Sequence, residues 1–388
     1  LMMISGVMVF DTPMDFDRLK ATIRQRMLRF DRFRQRIVRP VIPTRRVCWE
    51  DDPHFNPDDH IHRIVLPPPG DENTLQTVVS ELMSSQLDLT KPLWEMHLVE
   101  SYGDGSALIA RLHHTIADGM ALVHVLLSMT DTDPDAPWPV VTPQASPRRQ
   151  RSVASTLWRP ARATVRANAL ALDTLSREGR KMLRHPTSAW GLARLAARTA
   201  IATGRLLSLR SDPKTVFKGK LGVAKRAAWS APIPLTDVKA AGRAMGGTVN
   251  DVLLTTMTGA LRRYLVGRGE PVDNIKIHAI VPVNLRPLED EPRLGNNFGV
   301  VFLTLPIGIA DPMDRLSDLK RRMDDLKDSP EAVVAFALLN LFGMAPDRFQ
   351  ERPVNIFGAK ATAVMTNVPG PRETIYLAGA PLDTIMFW

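Results

Sequence analysis

The chain has 388 residues, 44% of them hydrophobic, a formal net charge of +9 and a single cysteine. Such a length supports two domains with sizeable cores, and one cysteine excludes an intramolecular disulfide and fits a reducing compartment. No run approaches the roughly twenty consecutive apolar residues that cross a bilayer, and the opening run 1–10, without a basic leader, reads as a strand and not a signal peptide.

After that strand, Phe16, Leu19, Ile23 and Met27 recur at helical spacing and predict a helix over about 15–28, with Asp15 as its cap. Val47-Cys48-Trp49 reads as a short strand, in which Cys48 is expected to be packed and inert. A strand is expected over 61–66, ending at Pro67-Pro68-Pro69-Gly70, and an amphipathic helix over 74–87 with Leu75, Val78, Val79 and Leu82 on one face. Pro92-Leu93-Trp94-Glu95-Met96-His97-Leu98-Val99 enters a strand through proline, and the turn at Gly103-Asp104-Gly105 pairs it with the next strand as a hairpin.

That next strand, 107–112, leads into His113-His114-Thr115-Ile116-Ala117-Asp118-Gly119. Side chains alternate faces along a strand, so the adjacent imidazoles should point in opposite directions, one into a channel and one into the structure. A neutral imidazole there suits deprotonation of an alcohol near neutral pH, although two neighbouring histidines can equally be hydrogen-bonded structural residues. Asp118 could return through a tight turn to neutralise a cation or hold a loop. Gly119 would supply backbone freedom for that turn or leave space beside a substrate. A helix over 120–129 follows.

Five prolines between 131 and 147 exclude a regular helix and mark a boundary. From Arg148 to Arg210 about fourteen basic residues face only Asp173 and Glu178, interleaved with Leu, Ala, Trp158 and Trp190 at helix-compatible spacing. This composition fits an anionic membrane surface better than a base-reading element, or else a solvated helical connector, and nucleic acid is not an expected partner. Helices over 236–245 and from Thr248 to about 267, and strands over 275–282, 300–305 and 362–366, then restore the α/β alternation. Asn250 and Asp251 fall where the second of these helices starts, a position at which Thr248, Asn250 or Asp251 could simply cap it. Two α/β halves joined by a helical connector are the simplest account: 1–132, a connector over 133–222, and 223–388. His60, His62 and the other histidines form no convincing metal set.

HHTIADG, Pro92-Leu93-Trp94, Asn250-Asp251, Arg32-Phe33-Arg34-Gln35-Arg36, Val281-Pro282-Val283-Asn284-Leu285-Arg286 and Asn367-Val368-Pro369-Gly370-Pro371 occur together in order. In this set the chain resembles the bacterial wax ester synthase/diacylglycerol acyltransferase family, within the CoA-dependent acyltransferases that include peptide-synthetase condensation domains. The resemblance covers nearly all of the chain except the connector. It implies two chloramphenicol-acetyltransferase-like domains, each a mixed sheet with packed helices, with the active site between them. Asn297-Phe298-Gly299-Val300 does not match the DFGWG motif of plant-type alcohol acyltransferases. The chain starts inside the opening strand and stops at Asp383-Thr384-Ile385-Met386-Phe387-Trp388, where the family continues through further strands and a helix. The C-terminal domain is therefore expected to be incomplete, and a terminal strand to lack its partners.

The resemblance further implies transfer of a long-chain acyl group from acyl-CoA, as co-substrate, to diacylglycerol or a fatty alcohol. His114 would act as general base and His113 as support, with no metal and no permanently bound cofactor. Asp118 would order the loop through an ion pair, with an arginine such as Arg286 as partner. Asn250 and Asp251 would support the reaction channel, while Pro92, Leu93 and Trp94 are mostly structural on physical grounds. The implied setting is cytoplasmic, peripheral on the inner face of the cell membrane or on lipid droplets. A non-catalytic lipid-binding scaffold and a condensation-type acyltransferase with another acceptor are the competing readings.

Overall fold

The computed structural model describes residues 3–38, 47–138, 189–219, 222–273, 275–285, 294–343 and 358–388. Its larger sheet has seven strands in the order β4-β5-β6-β1-β12-β11-β7: β1 is Met3–Phe10, β4 Ile61–Ile64, β5 Trp94–Tyr102, β6 Gly105–His113, β7 Thr130–Asp131, β11 Tyr376–Leu377 and β12 Ala380–Phe387. β4 and β5 run parallel and the other pairs antiparallel, so the sheet is mixed. The smaller sheet has three strands in the order β10-β8-β9, from β8 Ile277–Asn284, β9 Phe298–Leu305 and β10 Ala363–Val364. A separate ribbon joins β2 Gln35–Val38 to β3 Cys48–Asp51.

Period-2 alternation sorts the strand residues onto two buried faces. Met8, Phe10, Trp94, Met96, Leu98, Leu108 and Ala110 enter one core with α1 (Phe16–Thr22) and α3 (Gly119–Met129). Val7, Val99, Ala107 and Ile109 enter another with Leu75 and Val79 of α2 (Glu72–Ser84). A sheet covered on both sides reads as nearly continuous apolar runs, which is the pattern of β1 and β6. The second sheet repeats the arrangement. Val301, Leu303 and Leu305 of β9 pack with Leu319, Met323 and Leu326 of α7 (Pro312–Lys327) and with Leu254 and Leu265 of α6 (Val249–Gly267). Phe302 packs on the opposite side against α4 (Ala189–Ser208) and α8 (Glu331–Gly343), through Ala202, Leu206, Val334 and Ala335. α5 (Leu235–Ala244) precedes α6.

Local sequence explains most element starts. Asp15 caps α1 by accepting from the Arg18 N–H at 2.7 Å. The helix expected over 15–28 instead changes at Ile23 to a π-helical turn, Ile23–Met27, closed by Leu28 N–H donating to Ile23 O at 3.0 Å. Ile23 and Met27 both remain fully buried there. α2 starts two residues earlier than expected, with Asp71 as its cap accepting the Thr74 N–H. Cys48 is exposed on its ribbon, contrary to the packed position expected for it.

The largest departure concerns the chain's last strand. β12 pairs antiparallel with β1, with Gly6 opposite Phe387 and Met8 opposite Ile385, and Ser5 and Trp388 exchange backbone hydrogen bonds at 3.0 and 2.8 Å. The terminal apolar run is therefore paired with β1 along one edge, and its alternation serves the two cores of the first sheet. The described part of the basic region is helical, as α4. It packs on the second sheet through Ala202 and Leu206, and Lys360 Nζ donates to Leu206 O at 2.6 Å. The five prolines after 131 fall partly, and residues 148–188 wholly, outside the described residues.

Candidate active site

The Pro92-Leu93-Trp94 run sets the register that presents the histidines. Trp94 is fully buried and its indole N–H donates to Phe33 O at 2.8 Å, while its ring stacks on His60 at 4.7 Å. Trp94 lies opposite Leu112 in the β5/β6 pair, and Leu93 O accepts the His113 N–H at 3.0 Å. Leu93 and Trp94 are thus fully buried beside the end of β6.

His113 is the last residue of β6 and His114 begins the turn after it. The two rings have different surroundings. The His113 Nδ1 accepts from the Thr115 N–H at 3.3 Å and lies 2.9 Å from the Thr115 hydroxyl. Burial holds the His113 imidazole below the ordinary histidine range. The His114 ring instead faces the second sheet, 5.6 Å from the ring of Phe298 at the start of β9. Its Nδ1 lies 3.2 Å from Asn296 Oδ1, and its backbone carbonyl accepts from Asn296 Nδ2 at 2.9 Å.

Asp118 is buried and caps α3, accepting the Ala121 N–H on Oδ1 at 2.9 Å. Its Oδ2 accepts the Asn297 N–H at 2.9 Å, and its own N–H donates to Gly295 O at 3.2 Å. The acidic group at this helix start also opposes the positive end of the helix dipole. Asp118 thus binds backbone N–H groups on both sides of the loop, where an ion pair was expected. Arg286, the cation named for it, lies outside the described residues. Gly119 is the first residue of α3 and has no positive φ, so the turn does not need its backbone freedom. A Cβ there would meet nothing within 4 Å, which leaves the open-space reading.

The structure thus brings together His113, His114, Asp118 and Gly119 with the segment Gly295-Asn296-Asn297-Phe298 from the other half of the chain. Asn250 and Asp251 form a second constellation. Asp251 is buried and completes a reciprocal capping box with Thr248, its Oδ2 accepting the Thr248 N–H at 2.7 Å. Asn250 is exposed and accepts from Asn367 Nδ2 at 2.7 Å. β10 runs parallel to β8, with Val364 opposite Ile280, so the chain leaves it toward the end of the sheet where Asn284 lies opposite Phe298. Among the described residues no group of three or more His, Cys, Asp or Glu side chains is placed to hold a metal ion.

Sequence reasoning missed Asn296, Asn297 and the Thr115 contact. Gly295-Asn296-Asn297 carries a turn signal immediately before a β-branched and aromatic run, but nothing local connects it to a histidine about 180 positions earlier.

Comparison with known proteins identifies the family. The model of the wax ester synthase/diacylglycerol acyltransferase catalytic domain matches residues 1–253, and that of the WS/DGAT C-terminal domain matches 294–388. The chain belongs to this family. It is 29% identical over 390 aligned positions to a putative diacylglycerol O-acyltransferase of Mycobacterium tuberculosis, covering 97% of this chain and 77% of that protein. A probable diacylglycerol O-acyltransferase of the same organism, tgs2, is 32% identical over 349 positions, covering 87% and 72%. Among solved structures, the wax ester synthase/diacylglycerol acyltransferase of Marinobacter aquaeolei VT8 superposes with a TM-score of 0.62 at 23% identity, covering 100% of this chain and 82% of that one. The first condensation domain of the calcium-dependent antibiotic synthetase superposes at 0.56 with 15% identity, covering 100% and 79%. The fold is thus the two-domain, chloramphenicol-acetyltransferase-like α/β architecture, and the protein is an acyltransferase.

Proposed function

We propose that this acyltransferase moves a long-chain fatty acyl group from acyl-CoA to diacylglycerol or a fatty alcohol, with His114 as general base. The supporting observation is the position of His114: the end of a strand from the first sheet, its ring against Phe298 and Asn296 of the second half. A base at such a junction can meet two substrates arriving from different sides. Holding both reactants there contributes effective molarities of about 10⁵ M or more.

The imidazole accepts the acceptor's hydroxyl proton as its oxygen attacks the thioester carbonyl carbon. The tetrahedral oxyanion collapses, the C–S bond breaks, and the departing thiolate takes the proton back from the imidazolium as CoA thiol. A positioned base contributes about 10²–10⁴-fold. No covalent acyl-enzyme and no metal enters this sequence. His113, neutral and held by Thr115, supports the turn, and Asp118 and Gly119 set the helix beside it. Asn250 and Asp251, at the capped start of α6, support the reaction channel from the second half.

The functional division follows the boundaries 1–132, 133–222 and 223–388, with β11 and β12 reaching back into the first sheet. The basic region over 148–210, with Ile201 70% exposed beside Arg198 and Arg205 on α4, supports peripheral attachment to the cytoplasmic membrane face or to a lipid droplet. No helix among the described residues is long and apolar enough to cross a membrane.

The test is release of free CoA thiol from palmitoyl-CoA with diacylglycerol or hexadecanol supplied. Acceptor-dependent release supports the assignment and ranks the acceptors. Lipid binding without release from either acceptor would favour a scaffold and overturn it.

A further inference from the structure

We infer that Asn296 is the positioning residue that fixes the tautomer of His114, placing the ring proton on Nδ1 and the basic lone pair on Nε2. This rests on His114 being the base. The orientation of the Asn296 amide is decided by its other bond. The His114 backbone carbonyl can only accept, so the atom 2.9 Å from it is the amide nitrogen. The amide oxygen is then the atom facing the ring, 3.2 Å from Nδ1, and two acceptors cannot bond each other. Nδ1 must therefore carry the proton and donate it to Asn296 Oδ1. Nε2, the nitrogen remote from the loop, keeps its lone pair for the acceptor hydroxyl.

His113 is bonded in the opposite sense. Its Nδ1 accepts from the Thr115 N–H at 3.3 Å, so its proton resides on Nε2. Two adjacent imidazoles thus hold complementary tautomers, and only His114 presents a basic Nε2. One asparagine grips both the backbone and the ring of His114. Its neighbours fasten the same loop to Asp118, through Asn297 N–H to Oδ2 and the Asp118 N–H to Gly295 O. The tautomer of a base in the first half is therefore set by the second half, and the base is competent only when the halves are seated together.

The test uses the full chain with ¹⁵N-labelled histidine and long-range ¹H–¹⁵N correlation spectra, the His114 signals being assigned by their loss in His114→Ala. The wild type should show His114 protonated on Nδ1. Asn296→Ala should convert it to a mixture, lowering kcat on the order of tenfold, a part of what a positioned base supplies, with KM for palmitoyl-CoA unchanged. Asn296→Asp retains an acceptor for Nδ1 and adds a charge, so the acid limb of kcat/KM should move up by about one pH unit. A wild-type His114 protonated on Nε2, or a tautomer unaltered in Asn296→Ala, would overturn the inference whether or not His114→Ala is inactive. An active His114→Ala would sink the base assignment instead, leaving the tautomer measurement intact. The wild-type spectrum alone decides the matter if Asn296→Ala does not fold.

Discussion

Asp118→Asn isolates one bond between the two halves. In the wild type each carboxylate oxygen of this buried side chain accepts one backbone N–H, Ala121 on Oδ1 and Asn297 on Oδ2, both at 2.9 Å. Asparagine is as good a helix cap as aspartate, so its oxygen keeps the Ala121 bond. Its NH₂ then confronts the Asn297 N–H, donor against donor. The loss of a hydrogen bond to a charged group is about 1.5–3 kcal/mol, with the half-buried Asn297 N–H left unpaired. Asp118→Ala loses the cap as well, a further 0.5–2 kcal/mol or so. At roughly 2–4 °C per kcal/mol for chains of a few hundred residues, Asp118→Asn should lower the apparent Tm by about 3–12 °C, and Asp118→Ala by more. Because Asn297 adjoins Asn296, the slackened loop also frees the His114 ring. A kcat loss of about tenfold corresponds to roughly 1.4 kcal/mol of transition-state stabilisation. Melting curves and acyl-transfer kinetics on the three proteins provide the assay. An Asp118→Asn variant that melts and turns over like the wild type would refute the reasoning, as would one indistinguishable from Asp118→Ala.

Three further outcomes follow from packing and charge. Gly105→Ala forces a Cβ against the backbone of Phe10 and to 2.8 Å from the Asp11 carbonyl carbon, so denaturant unfolding should show at least about 1–3 kcal/mol of destabilisation. Trp94→Phe removes the indole donor from Phe33 O inside the core, a cost of about 1–3 kcal/mol with catalytic parameters changed mainly through β6; unaltered stability would contradict that placement. Burial raises the Glu331 carboxyl above its ordinary range, although its Oε1 accepts the Phe302 N–H at 2.9 Å. A raised folded-state pKa contributes stability that is fully present below the unfolded value and is lost as pH rises through the folded one. Glu331→Gln keeps the acceptor and should therefore flatten the fall in Tm above about pH 4.3; a parallel fall in both proteins would contradict the assignment.

What could be read from residues alone is what neighbouring residues determine. β5, β6 and their turn were legible because alternation and Gly103-Asp104-Gly105 are local signals. The start of α6 was legible from Thr248 and Asp251. The π-helical turn at 23–27 was not, because Ile23 and Met27 fit α-helical spacing and tertiary packing selects the wider turn. The pairing of 380–387 with β1 was also hidden, because an apolar alternation says that a strand has partners but not which ones. The same limit applies at the site. Asp118 signals its capping of α3 by its place before Gly119 and an apolar helix, yet its other partner, Asn297, comes from a segment that folds against it only when both sheets exist.

The central claim, that His114 and not His113 is the base, is tested most directly by single-turnover acyl transfer from palmitoyl-CoA to the preferred acceptor. The wild type, His113→Ala and His114→Ala would be compared at saturating substrate. Loss of the base should slow His114→Ala by about 10²–10⁴-fold with acyl-CoA binding retained, and leave His113→Ala the faster of the two variants. A His114→Ala rate within a few-fold of wild type, or a ranking in which His113→Ala is the slower, would contradict the account.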